Sequence, residues 1–287
     1  MVPPAAGTPL LREIGDVRLG HQFERDVDRL LRGFAAGEFQ GGLQLTGALA
    51  LGILEDGQVQ IARAQRGQRE ALIASLPDDP RVSAALRRFA ETGPVVTLVT
   101  DIADSGSSHF IGPDDYRGGR IAGDLMGLLM RPEGGNVLMI GGHAENTGQR
   151  QRQAGFRAIL SARHPEPRLV QVLETGGDGD LVGRMVEKAL LQDGSIRGIY
   201  QASTGTQQIC DAVQRIGRAG GTVIVAHELT PNRKKLLIER RLHAVIDQKP
   251  DLEARLAFDA VARLLGRLEG TTEPQAVETQ IFMAESF

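Results

Sequence analysis

The chain has 287 residues, 41% of them hydrophobic and 24% charged, with 33 basic against 36 acidic side chains and a formal net charge of −3. That length exceeds the usual size of one compact domain, so one large or two linked lobes are expected. The charge balance argues against a self-standing nucleic-acid binder, which carries a basic face and a high pI, and the single cysteine, Cys210, excludes an internal disulfide.

Taken in chain order, the first 80 residues are the least regular. The N-terminal stretch MVPPAAGTPLLREIGDVRLG lacks the charged head and apolar core of a secretory signal. Helical fragments such as FERDVDRLLRGFA follow, without strand–helix alternation. LQLTGALALGIL (43–54) is the longest apolar stretch, but Gly and Thr break it and it falls short of the roughly 20 residues a membrane span needs. A cytoplasmic protein that does not meet a membrane is therefore expected. REALIASL is a strand or the end of a helix, and VSAALRRFAETG (82–93) is a helix stopped by glycine.

From residue 95 the alternation is regular. VVTLVT (95–100) is a buried strand by its β-branched run, and YRGGRIAGDLMGLLM (116–130) is a helix with Ile121, Leu125, Leu128 and Leu129 at helical spacing. Then come strand NVLMIGG, helix 149–162, strand LVQVLE, helix LVGRMVEKALLQ, strand IRGIYQA and a helix carrying Ile209, Val213 and Ile216. Strand TVIVAHE, helix PNRKKLLIERR and strand HAVIDQ follow. The helix DLEARLAFDAVARLLGRLEG stops at Gly270, and ETQIFMA is a last strand. Apolar strands separated by amphipathic helices predict an α/β protein with doubly wound parallel sheets.

Ligands of such sheets sit outside the carboxyl ends of the strands. This places Asp101, Asp104, residues 146–152, Ser203, Thr204, His227, Glu228, Asp247 and Gln248 as candidates, since each lies just past an apolar strand. Arg150 and Arg152 open a helix beside Gly155 and Phe156. At least one of the two is expected to grip a polar ligand; strand-end placement together with the family resemblance given next selects Arg150 and leaves Arg152, one step round the helix, a structural part. The basic run RKKLLIERR faces water.

The stretches PVVTLVTDI, HFIGPDDYRGGRIAG, RQRQAGFRAIL, IRGIYQAS, VIVAHELTP and AVIDQKP, in this order and spacing, resemble the effector-binding region of LacI/GalR-type transcription regulators. That region is similar to the ribose- and galactose-binding periplasmic proteins. The resemblance covers roughly 80–287, and the family's DNA-binding headpiece is not recognisable. It implies a two-lobe periplasmic-binding-protein-like clamshell, each lobe a doubly wound parallel sheet. Residues 1–103 with 249–274 would form the N-terminal lobe, and 104–248 with 275–287 the C-terminal one. It further implies a small-molecule effector, a sugar or sugar-like, held in the cleft between the lobes by Arg150, Glu228, Gln248, Asp101 and Ser203. A homodimer follows from the same resemblance, with operator DNA a partner only where a headpiece is supplied. A solute-binding protein of a transport system is the alternative, and an α/β hydrolase a remoter one.

Residue types suit such a ligand. A guanidinium fork donates to neighbouring oxygens, a carboxylate accepts from vicinal hydroxyls, and an amide does both. No enzyme, catalytic residue, cofactor or metal site is expected. TGGDGDLVGR does not carry the G-x-G-x-x-G dinucleotide spacing. The six histidines show no i, i+4 pair, and no activated nucleophile is recognisable.

Overall fold

The computed structural model describes residues 44–46, 49–53, 70–130, 134–142, 146–174, 178–270 and 277–287. The fragment FERDVDRLLRGFA lies outside them. The chain divides into two compact units. One comprises Met1–Ile111 and Pro250–Gln275, the other Gly112–Lys249 and Ala276–Phe287.

The first unit is built on a five-stranded sheet: β1 (Gln44–Thr46), β2 (Leu49–Ile53), β3 (Ala71–Ser75), β4 (Val95–Leu98) and β5 (His109–Ile111), in that spatial order. All neighbours are parallel except β1 with β2. REALIASL thus supplies a strand, and its period-2 alternation serves both faces. Ala71 and Ile73 join Val96, Leu98 and Ile111 under α7 (Pro250–Leu264), through Ala257, Phe258 and Val261. Leu72 and Ala74 face α1 (Pro80–Ala90), through Val82, Leu86 and Phe89.

Two expectations are corrected in this unit. Residues 104–111 belong to it and not to the second lobe, because His109–Ile111 pairs with Val96–Leu98. Helix α7 ends before Gly270. Gly266, at φ 67°, donates to the Arg263 carbonyl and Arg267 to that of Ala262, a Schellman cap four residues earlier.

The second unit carries six strands: β6 (Gly135–Gly141), β7 (Pro167–Glu174), β8 (Ile196–Gln201), β9 (Val223–His227), β10 (Ala244–Asp247) and β11 (Gln280–Phe282). Their spatial order is β11-β10-β9-β8-β6-β7, parallel throughout except for the closing β11. Helices α2 (Asp115–Leu129) and α3 (Thr147–Arg163) cover one face, through Ala122, Met126, Phe156 and Leu160 on Val137, Met139 and Tyr200. Helices α4 (Gly179–Gln192), α5 (Thr206–Arg215) and α6 (Pro231–Ile238) cover the other, through Val182, Val186, Ile209, Val213 and Leu236 on Leu138 and Ile140. Because β7 lies outside β6 while β8 lies inside, the winding reverses between β6 and β8. That is the point at which such sheets leave a crevice at their carboxyl edge. Both units are α/β with helices on both faces of a largely parallel sheet, as expected. Among the described residues, no helix is long and apolar enough to cross a membrane.

Candidate ligand-binding site

The site of the second unit begins with two helices whose backbones touch. The buried stripe of α2 runs Asp115, Gly118, Gly119, Ala122, Gly123, Met126. A Cβ on Gly119 would overlap the Arg152 carbonyl, one on Gly155 the Tyr116 carbonyl, and one on Gly148 the Asp115 carboxylate. Only glycine permits this approach, which brings the first turn of α2 against the first turns of α3.

The result is a buried ion pair at 2.6 Å between Arg152 Nε and Asp115 Oδ1, with side chains 12% and 10% exposed. The Arg152 guanidinium also donates to Gln248 Oε1 at 3.1 Å and to the Ala202 carbonyl at 3.5 Å. Gln248 Nε2 in turn reaches Asp115 Oδ1 at 3.5 Å. The buried amide of Gln248, just before the chain leaves the unit at Pro250, is thereby oriented. Three of the five N–H groups of Arg152 are engaged, and the other two find no partner among the described residues.

Burial works against the charge of Arg152, but Asp115, Tyr200 and Glu228 together raise its pKa, so it stays a cation. Under it, Tyr200 stacks on Phe156 at 4.7 Å between ring centroids and shares a 2.7 Å hydrogen bond with His227 Nε2. His227 Nδ1 is buried without a partner among the described residues. Burial first, then the charges of Arg152 and Arg233, hold His227 well below its ordinary pKa, and it is neutral.

Glu228 follows β9 directly, with φ at 63°, a left-handed conformation uncommon outside glycine. Its carboxylate makes no hydrogen bond or ion pair among the described residues. Burial lifts its pKa to about 7; Arg152 and Arg233 pull it down, while Asp247 and Asp115 push it up. A half-buried, unpartnered acid on strained backbone is a recurrent mark of a functional position.

The structure places the two arginines differently. Arg150 is exposed and donates to Thr147 Oγ1 at 2.9 Å, whereas Arg152 is the one held inside. Two residues turn a helix by about 200°, so the two side chains leave α3 on opposite sides. Arg152 shares the face of Gly155, Phe156 and Ile159, at spacings of three, four and seven, and that spacing was the signal. Asp115 was likewise findable, as an acid on the stripe continued by Gly118, Gly119 and Ala122.

Ser203 follows β8; its N–H donates to Gln201 Oε1 at 2.6 Å and its carbonyl accepts from Arg233. Nearby, Gln149 donates to the Ala202 carbonyl at 2.7 Å, while its Oε1 is buried without a partner among the described residues. Asp101 belongs to the first unit. It is exposed in the loop after β4 and has no hydrogen-bond partner among the described residues. Asn146 caps α3 through Gln149 N–H. Among the described residues no cluster of three His, Cys, Asp or Glu side chains is arranged for a metal ion.

Comparison with known proteins defines the class. The model of the periplasmic binding protein domain matches residues 56–269, and the chain belongs to that family. A search of curated proteins returns no match. Among solved structures, the glucose-galactose binding protein GanP of Geobacillus stearothermophilus superposes with a TM-score of 0.76 at 17% identity, covering 93% of this chain and 96% of its own. A solute-binding protein of an ABC transporter from Burkholderia graminis, in complex with D-arabinose, gives 0.74 at 21% identity over 80% and 82%. One from Actinobacillus succinogenes with bound D-allose gives 0.74 at 16% identity over 93% and 95%. At these identities the likeness is one of fold.

Proposed function

We propose that this chain is a carbohydrate-binding protein, and that it takes a neutral sugar or sugar-like molecule at the carboxyl edge of the second sheet. One observation carries the reading: the uncommitted N–H groups of Arg152 stand in one cluster with the uncommitted carboxylate of Glu228. A hydroxyl accepts from the first and donates to the second, so a polyhydroxy ligand satisfies both. Three or four charged hydrogen bonds, each worth about 1.5–3 kcal/mol, suit micromolar affinity. Gln248 and Gln149 add amide contacts, and Ser203 a hydroxyl. The protein acts by binding and not by catalysis.

The solved relatives named above are sugar- and solute-binding proteins. This favours service to a transport system over the transcription-regulator reading, which rests on the run of motifs from PVVTLVTDI to AVIDQKP. Under that second reading the chain is a cytoplasmic, homodimeric sensor, with operator DNA a partner only where a headpiece is supplied. Cell fractionation separates the two, since a transport receptor is exported and a regulator is retained. For the binding itself, calorimetry of the full chain against pentoses, hexoses and alditols is expected to find a ligand of micromolar affinity. A folded protein silent across the whole panel sinks the proposal.

A further inference from the structure

Arg233 belongs to a basic helix whose charges the sequence assigns to water, yet its side chain turns back from the first turn of α6. Its Nε donates to Thr206 Oγ1 at 2.9 Å, Nη1 to the Glu228 carbonyl at 3.0 Å and Nη2 to the Ser203 carbonyl at 3.0 Å. One guanidinium thus joins the carboxyl ends of β8 and β9 to the start of α5. Glu228 is pinned from the other side too: its N–H donates to the Ile246 carbonyl at 2.9 Å, and the next N–H, of Leu229, donates to Asp247 Oδ1 at 2.9 Å. A left-handed glutamate persists only where its surroundings over-determine it.

We infer that Arg233 is a positioning residue for ligand binding: by clamping the Ser203 and Glu228 carbonyls and the Thr206 hydroxyl, it fixes the strained backbone of Glu228 and so aims the carboxylate. This rests on the carbohydrate reading of the site. The fork is needed because two carbonyls, one past β8 and one past β9, are reached at once, which an ammonium on a flexible stem does not reproduce. The charges acting on Glu228 are Arg152 from α3, Asp247 from β10, Asp115 from α2 and Arg233 itself from α6. Loss of Arg233 therefore removes one of two cations that favour its ionised form.

The test uses the full chain as wild type, Arg233→Lys and Arg233→Met. Glu228 is titrated without ligand by carbon NMR of its side-chain carboxyl, and affinity is measured for the sugar the wild type binds best. Arg233→Met is expected to raise the Glu228 titration point and weaken the sugar about ten- to a hundredfold. Arg233→Lys is expected to restore the titration while recovering little affinity. If Arg233→Met titrates and binds like wild type and loses only melting temperature, Arg233 is a loop staple and the inference is overturned. Should the Met variant fail to fold, Arg233→Lys decides, and wild-type affinity in it overturns the inference equally. A wild type that binds no sugar removes the carbohydrate reading; the ligand-free titration still tests the clamp, which an unshifted Glu228 in Arg233→Met overturns.

Discussion

The carboxyl edges of the two sheets are made of similar residue types put to different use. After β4 in the first unit, Val99 adopts φ 67°, Asp101 is exposed, and Asp104, at φ 53°, offers its carbonyl to Arg87. Asp101 and Asp104 are loop-making groups in contact with water, while Val99 leans against the apolar cluster under α7. At the edge of the second sheet, Asp115, Arg152 and Gln248 are withdrawn from water and locked together, with Glu228 beside them. The helices differ accordingly. Helices α1 and α7 lie on opposite faces of the first sheet, whereas α2 and α3 share one face of the second and meet through glycine. Standing just past an apolar strand thus does not by itself withdraw a polar group from water. A close helix pair that desolvates the polar groups is what separates the two edges.

The largest expected effect breaks the second edge outright. Asp115→Ala leaves Arg152 buried without its counter-ion and is expected to cost about 3–5 kcal/mol in denaturant unfolding. A loss near that of a surface substitution contradicts the buried pair. Removing both charges in Asp115→Asn with Arg152→Met is expected to restore part of that stability, with a coupling of about 0.5–3 kcal/mol. Sugar affinity in the double variant still falls about a hundredfold, while Arg150→Met stays within about twofold of wild type. Equal losses in the two would return Arg150 to the site.

Acidity sharpens the contrast next. The native Glu228 takes up its proton at about 7, against an ordinary value of 4.5, so its contribution to stability is full below 4.5 and fades as pH rises through 7. Glu228→Gln is expected to gain melting temperature relative to wild type across that window. With the ionised carboxylate as acceptor, sugar affinity of the wild type falls about tenfold per pH unit below 7. An affinity independent of pH between 5 and 8 rules that acceptor out. The smallest effect belongs to the first edge: Asp101→Asn is expected to change unfolding free energy by less than about 0.5 kcal/mol.

Most of the fold beyond residue 95 was legible because period-2 and period-3.6 patterns alternate there without interruption. The strand HFI was missed, since three residues carry too little periodicity, and its loss moved the first unit's boundary. Gly270 drew the end of α7 too late, because Gly266 and Gly270 both suit a left-handed cap and only the backbone hydrogen bonds distinguish them. For the candidate site, strand ends put Glu228 and Gln248 among several polar residues, and the resemblance of VIVAHELTP and AVIDQKP singled them out. Arg152 and Asp115 needed the helical phase relative to Gly155 and Gly119, and Arg233 needed a fold in which α6 begins beside β8 and β9. A charged residue in a basic run carries no mark of the carbonyls it will meet.

The chain leaves the first unit at residue 111, completes most of the second, returns at Pro250 to lay α7 on β3 and β4, and ends by adding β11 to the edge of the other sheet. During synthesis neither sheet is finished when its own first strands emerge. The first waits for α7 to cover Ile73 and Val96, and the second for β11 to pair with β10. A nascent chain therefore carries one bare apolar face of its first sheet until residues 250–264 have emerged, and β10 is an open edge until Gln280–Phe282 follow.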